Sequence, residues 1–430
     1  MSAPAVKLAV FQALGAEPDF SGLALVDQLN VRGRRDFLAW LDHSGLSLYL
    51  LDRIERHRQS TAAPPALRSA LGERSASNLR RSHDMWIEFV RVVEAFEARG
   101  VRAATMKGFS LLPGYCPSPE LRHQTDFDFL IDPGAVLAAA AALRGCGYVA
   151  RTLSTTGESY FTTPSGHTPR ARDDIFAPQR HRQVDLHVGI WDPVPYFSLA
   201  APADCLARAR TRAVCGREIL CLAEEDLFLL QVCHLFKHML RSWIRAAWLF
   251  ELSRFLGSRR DPEFWQRVVE RAGGSPGLER AAALVLLTTE EIFGGSLPEP
   301  LRAWFAPAAT ERLRAWVREW GTEWVAADRP GSLANLLVAR EFTADRASYR
   351  SYVISRIRPA RGQLSSGGGG SGLANRLAGA GYLAHRARKH LLELARMPVT
   401  LLRWNRALRG ALTPAKRIEV PRADVHAKQS

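Results

Sequence analysis

Residues 124–131, Gln-Thr-Asp-Phe-Asp-Phe-Leu-Ile, constrain this chain more than any other stretch. Two aspartates alternate with two phenylalanines and run into an apolar pair, the period-two pattern of a half-buried strand. Successive side chains on a strand point to opposite faces, so Asp126 and Asp128 share one face and Phe127 and Phe129 the other. Asp is a poor strand former, and two of them here need a chemical reason. Residues i and i+2 stand about 6.6 Å apart along a strand. At that pitch two carboxylates can lean together over one or two hard cations that prefer oxygen ligands. Taken alone, D-x-D equally fits the solvated face of an edge strand, so the flanking sequence has to decide.

Upstream, residues 101–106 read as a short strand that breaks at Lys107-Gly108 and passes into a helical apolar stretch, Phe109-Ser110-Leu111-Leu112. Downstream, residues 183–191 alternate strictly: Val184, Leu186, Val188 and Ile190 face one way, Asp185 and His187 the other. A strand, a Lys-Gly turn, D-x-D and a third Asp on a later strand make a three-carboxylate arrangement suited to two divalent metals.

The rest of the chain frames this segment. At 430 residues it is long enough for two or three domains and a substantial core. Six cysteines form no C-x-x-C and no zinc spacing, which suits reduced thiols. Residues 1–20 lack a basic segment followed by a long apolar core, and no apolar run approaches about 18 residues. The expected location is therefore cytoplasmic, with no integral membrane span. Of the net charge of +15, most sits beyond residue 350, where 15 Lys/Arg meet 3 Asp/Glu. The remainder is nearly balanced, which makes nucleic acid an unlikely partner for the segment around the aspartates.

Residues 1–100 read as helical, with a second stripe (Trp86, Phe89, Val90, Val92, Val93, Phe96) on a helix over 76–99 that should pack on the sheet. Strands are expected at 148–153, 158–163, 174–177, 183–190 and 218–222, with a helix after Asp132-Pro133. Basic loops carry Arg170, Arg172, Arg180, His181 and Arg182, which suit either phosphate contact or a plain surface. A long helix opens at Glu224-Glu225-Asp226, acids where the helix dipole favours them. His234, His238 and Lys237 follow on it, and Trp243, Trp248, Phe250, Leu252 and Phe255 continue a helical bundle. Residues 365–372 are a Gly/Ser linker, and residues 373–409 a basic amphipathic helix containing Pro398, expected to dock on the helical bundle.

The order Lys107-Gly108, Arg122 with Asp126-x-Asp128, Val184-Asp185-Leu186-His187, then a helix bearing His234, resembles the uncharacterised nucleotidyltransferase group of the polymerase-beta superfamily. The resemblance spans roughly residues 80–260. That group is common in bacteria, often beside natural-product or peptide-tailoring genes. The resemblance implies two Mg²⁺ on Asp126, Asp128 and Asp185, with Asp185 also the base toward the acceptor. It implies ATP or another NTP as substrate, its phosphates received at the Gly108–Ser110 turn and balanced by Lys107 and Arg122. It also brings His187, His234 and Lys237 near the site. The acceptor is a hydroxyl-type group on a small molecule or peptide.

The sequence thus predicts an α+β protein: a small mixed nucleotidyltransferase sheet flanked by an N-terminal helical region and a C-terminal helical bundle. The parts fall at 1–100, 101–222, 223–360, 361–372 and 373–430. A phosphotransferase on the same site, or a binding protein whose fold has lost catalysis, would use the same residues.

Overall fold

The computed structural model describes residues 3–59, 61–163, 175–176, 182–191, 196–241, 243–327, 332–357 and 372–410. It is α+β, with a seven-stranded mixed sheet flanked by helices. The strands are β1 (Ala103–Thr105), β2 (Asp126–Ile131), β3 (Val149–Thr152), β4 (Ser159–Thr162), β5 (Gln183–His187), β6 (Arg210–Val214) and β7 (Arg217–Cys221). Their order across the sheet is β3-β4-β5-β2-β1-β7-β6, which puts the D-x-D strand at its centre. β2 runs parallel to β5 and antiparallel to β1.

One face of β2 is dry. Phe127 and Phe129 are buried, and the Pro65–Glu97 helix covers them. Phe89 stacks on Phe129 with centroids 5.6 Å apart, and Phe96 meets the same ring edge-on at 5.1 Å. These are the offset and edge geometries that aromatic rings prefer. The stripe read from the sequence therefore packs on the sheet as expected. The helix starts earlier than expected because Pro65 already suits its first turn. Beyond its end, Gly100 takes a left-handed φ of +65°.

The same helix also holds the entry to β2. Arg81, fully buried, donates from Nη2 to the Gln124 carbonyl at 2.5 Å. Asn78 Nδ2 donates to the Glu120 carbonyl at 2.8 Å. Buried polar groups are retained only where such partners exist, so the approach to the aspartates is fixed from behind.

Two local readings are corrected by the structure. After Lys107 the chain makes a single 3-10 turn, Gly108–Leu111, instead of a helix. Pro113 explains this: it disfavours helical backbone at the preceding residue, and Leu112 is extended. The strand expected at 174–177 is absent where it is described, since Ile175 and Phe176 form a turn. β4 pairs directly with β5 and leaves that segment no edge to join. In the helical bundle, one helix stops at Leu240 and the next starts at Ala246. There the Trp243 N–H closes back on the His238 carbonyl at 3.2 Å, a terminating bond. One strand was not anticipated: β6 returns into β7 through Cys215-Gly216, both at positive φ (48° and 80°). That is the backbone of a two-residue hairpin turn.

C-terminal to the sheet, helices pack around Leu278–Phe293, whose Ala281–Leu286 segment is wholly buried. A helical segment apolar on every side belongs in such a position. The Gly372–Gly410 helix docks on this bundle through Trp404, 5.6 Å from the Trp320 ring. Arg403 binds Glu319 and Glu323 at 2.6 and 2.9 Å. The Gly/Ser run at 365–371, the tail 411–430 and the loop residues Arg170, Arg172, Arg180 and His181 lie outside the described residues. Among the described residues no helix is long and apolar enough to cross a membrane.

Candidate active site

The site grows out of register. Asp128 pairs directly with Asp185 on the parallel strand β5, and Asp126 with Gln183. Because side chains two apart share a face, Asp126, Asp128, Asp185 and His187 all line one cavity of about 250 Å³ on the face opposite Phe127 and Phe129. Asp128 and Asp185 are 4% and 5% exposed. Ligand atoms of Asp128, Asp185 and His187 lie within 4.8 Å of one another. Asp126 lines the cavity beside this trio.

Each carboxylate has a different neighbour. Lys107 reaches from the end of β1 and places Nζ 2.5 Å from Asp128 Oδ1. His187 Nε2 lies 3.1 Å from the same oxygen. Gln183 donates to Asp185 Oδ1 at 2.7 Å. Arg122 stands in the cavity wall, and its Nε donates to Glu251 Oε1 at 3.0 Å. Tyr49 OH donates to that same oxygen at 2.8 Å, so the N-terminal helices brace the arginine through Glu251.

The electrostatics follow from this arrangement. Burial raises the Asp185 pKa, and repulsion from Asp128 and Asp126 adds to it, so it reaches about 8. Burial and Asp128 also push Asp126 up. Burial opposes the Asp128 charge too, but Lys107 and the His187 hydrogen bond outweigh it and hold Asp128 below the usual carboxylate range. Lys107 is raised in turn: burial disfavours its charge, and Asp128 more than restores it. Three carboxyls thus share one buried cationic amine. Adding a divalent cation relieves the repulsion that drives Asp126 and Asp185 up. The oxygen-rich donor set suits a hard ion such as Mg²⁺.

Gly108 and Ser110 stand behind this surface and do not line the cavity. Gly108 has φ of +62°, and a Cβ there would come within 2.3 Å of Gln124 Nε2. Glycine is required so that Gln124 can pack across the turn and donate to the Asp126 carbonyl at 2.9 Å. Ser110 is buried, with Oγ 3.3 Å from the Lys107 carbonyl.

The opposite wall comes from the Glu224–Leu240 helix and the connection after it. His234 and Lys237 line the cavity, as does His238. Burial, then Lys107, drives the His234 pKa well below its ordinary value. Burial and the same lysine take His238 down to about 3. Both rings are therefore neutral. Trp243, Arg245 and Trp248 also line the cavity, with Glu158 and Tyr160 from the β4 side. Sequence reasoning assigned these residues no role in the site. A tryptophan between two arginines at a helix break, Arg241-Ser242-Trp243-Ile244-Arg245, is the signal that was available.

A family model described as an uncharacterised nucleotidyltransferase matches residues 32–294, more than half of the chain. The match runs from the helix at Val31 through Leu278–Phe293 and includes every cavity residue named above. No curated protein and no solved structure shows significant similarity to the chain. The three-carboxylate cavity and this match agree in kind, and the chain belongs to that nucleotidyltransferase family.

Proposed function

We propose that the chain is a metal-dependent nucleotidyltransferase of the polymerase-beta type, moving a nucleotidyl group, AMP from ATP, onto a hydroxyl of a small molecule or peptide. The observation that carries this reading is the in-register pairing of Asp128 with Asp185 inside a cavity that also holds Asp126 and Lys107. Asp126, Asp128 and Asp185 would hold two Mg²⁺. Bound there, the ions supply Lewis-acid stabilisation of the transferring phosphoryl group.

The remaining roles belong to the chain's own groups. Asp185, paired in register with Asp128 and held by the Gln183 amide at 2.7 Å, is placed to accept a proton inside the cavity. It takes the proton of the acceptor hydroxyl as that oxygen bonds to the α-phosphorus. The bond from the α-phosphorus to the bridging oxygen breaks, and pyrophosphate leaves with the electron pair. Lys107 and Arg122 balance the charge gathering on the phosphates, and Lys237 adds a third cation on the facing helix. His187 orients Asp128 through its 3.1 Å contact. His234, held neutral, offers a hydrogen bond without adding charge. Gly108 and Ser110 shape the turn that presents Lys107.

The test is ATP labelled at either the α- or the γ-phosphorus, incubated with Mg²⁺, the full chain and a pool of hydroxyl-bearing metabolites and peptides. Nucleotidyl transfer puts the α label in product and releases the γ label as pyrophosphate. Appearance of the γ label in product would replace this reading with phosphoryl transfer.

A further inference from the structure

The carboxylates share their cavity with a cluster of rings. Trp243, on the connection between two helices, is 47% exposed. Trp248 crosses it edge-on with centroids 5.3 Å apart. The His238 ring lies 5.0 Å from Trp243 and 4.8 Å from Trp248. His234 lies 4.5 Å from Trp248. The Arg245 guanidinium stands 5.9 Å and 5.8 Å from the two indole centroids, and its Nη1 donates to the His123 carbonyl at 3.4 Å. All five side chains line the same cavity as the aspartates.

A tryptophan that only filled the core would be covered. Trp243 lines the cavity and keeps about half of its surface exposed, with a guanidinium beside its ring. Flat aromatic surface beside an Arg is what planar, electron-rich ligands stack on, and every nucleobase has such a face. The neutral His234 imidazole can donate at one nitrogen and accept at the other, which suits the polar edge of a base, while His238 is held by a hydrogen bond to the Trp243 backbone. Lined by the carboxylates, by Lys107 and Arg122 and by these rings, one cavity offers groups for phosphates and for a base.

We infer that the Trp243–Trp248 wall, with Arg245 and His238, is the binding site for the nucleobase of the nucleoside triphosphate. This rests on the nucleotidyltransferase reading above and adds the subsite that distinguishes a nucleotide from a bare polyphosphate. Stacking on a single side chain of this kind is worth about 10- to 100-fold in affinity.

The experiment is calorimetry on the full chain in Mg²⁺ with two probes, ATP and inorganic tripolyphosphate, for the wild type, Trp243→Ala and Trp243→Phe. The wild type should bind ATP about 10- to 100-fold more tightly than tripolyphosphate. Trp243→Ala should bring ATP down to the tripolyphosphate level while leaving tripolyphosphate unchanged, and Trp243→Phe should keep most of the preference. Equal affinity for the two probes in the wild type would overturn the inference and leave the nucleotidyltransferase reading standing. A Trp243→Ala variant that weakens both probes alike would overturn it as well, marking Trp243 as a structural residue. Failure of the wild type to bind either probe would remove both.

Discussion

The two faces of β2 carry opposite economies. On one, Phe127 and Phe129 are buried against Phe89 and Phe96 with nothing polar to satisfy. On the other, one residue away along the same backbone, Asp126, Asp128 and Asp185 crowd around the buried Lys107 amine, and two of the three are pushed toward protonation. The first face stabilises the fold and does no chemistry. The second opposes folding and is arranged for chemistry. Strained, like-charged groups persist only where the surrounding structure over-determines them, and the aromatic face with its Arg81 and Asn78 contacts is what does so here.

The largest test of this comparison is on the dry side. Phe129→Ala removes a fully buried ring between Phe89 and Phe96 and should cost about 3–5 kcal/mol of stability, read by denaturant unfolding. A loss below about 1 kcal/mol would mean that the aromatic layer does not anchor the strand.

The acidic side should respond in the other direction and by less. A carboxyl whose pKa is raised in the folded chain opposes folding once its unfolded counterpart ionises near about pH 4. The cost grows as pH rises toward 8 and is complete above it. Metal-free Asp185→Asn should therefore be more stable than the wild type at pH 8.5, by an amount on the order of 1 kcal/mol, and the gain should shrink toward pH 5. Melting curves across that range check it, and a gain independent of pH would separate the effect from Asp185 ionisation.

The asymmetry also explains what could be read from sequence. Alternation is a local property, so β2 and β5 and the shared face of Asp126, Asp128, Asp185 and His187 were legible from their own residues. The covering helix was legible for the same reason, through its stripe ending at Phe96. The ring cluster of the cavity was not. Trp243 and Trp248 read as core of a helical bundle, because the break between its helices carries neither Gly nor Pro and is marked by the bond from the Trp243 N–H to the His238 carbonyl. The apolar run after Gly108 reads as helical, and the structure makes it one 3-10 turn that ends a residue early because Pro113 holds Leu112 extended. Glu251 and Tyr49, more than 120 and 70 residues from Arg122 respectively, reach it only through tertiary packing.

The most direct test of the central claim is calorimetric titration of the full chain with ATP in Mg²⁺, beside the double variant Asp126→Asn/Asp128→Asn checked for folding by circular dichroism. The account predicts Mg²⁺-dependent binding by the wild type and none by the folded variant. Binding that survives in the variant, or a wild type that binds no nucleoside triphosphate, would contradict it.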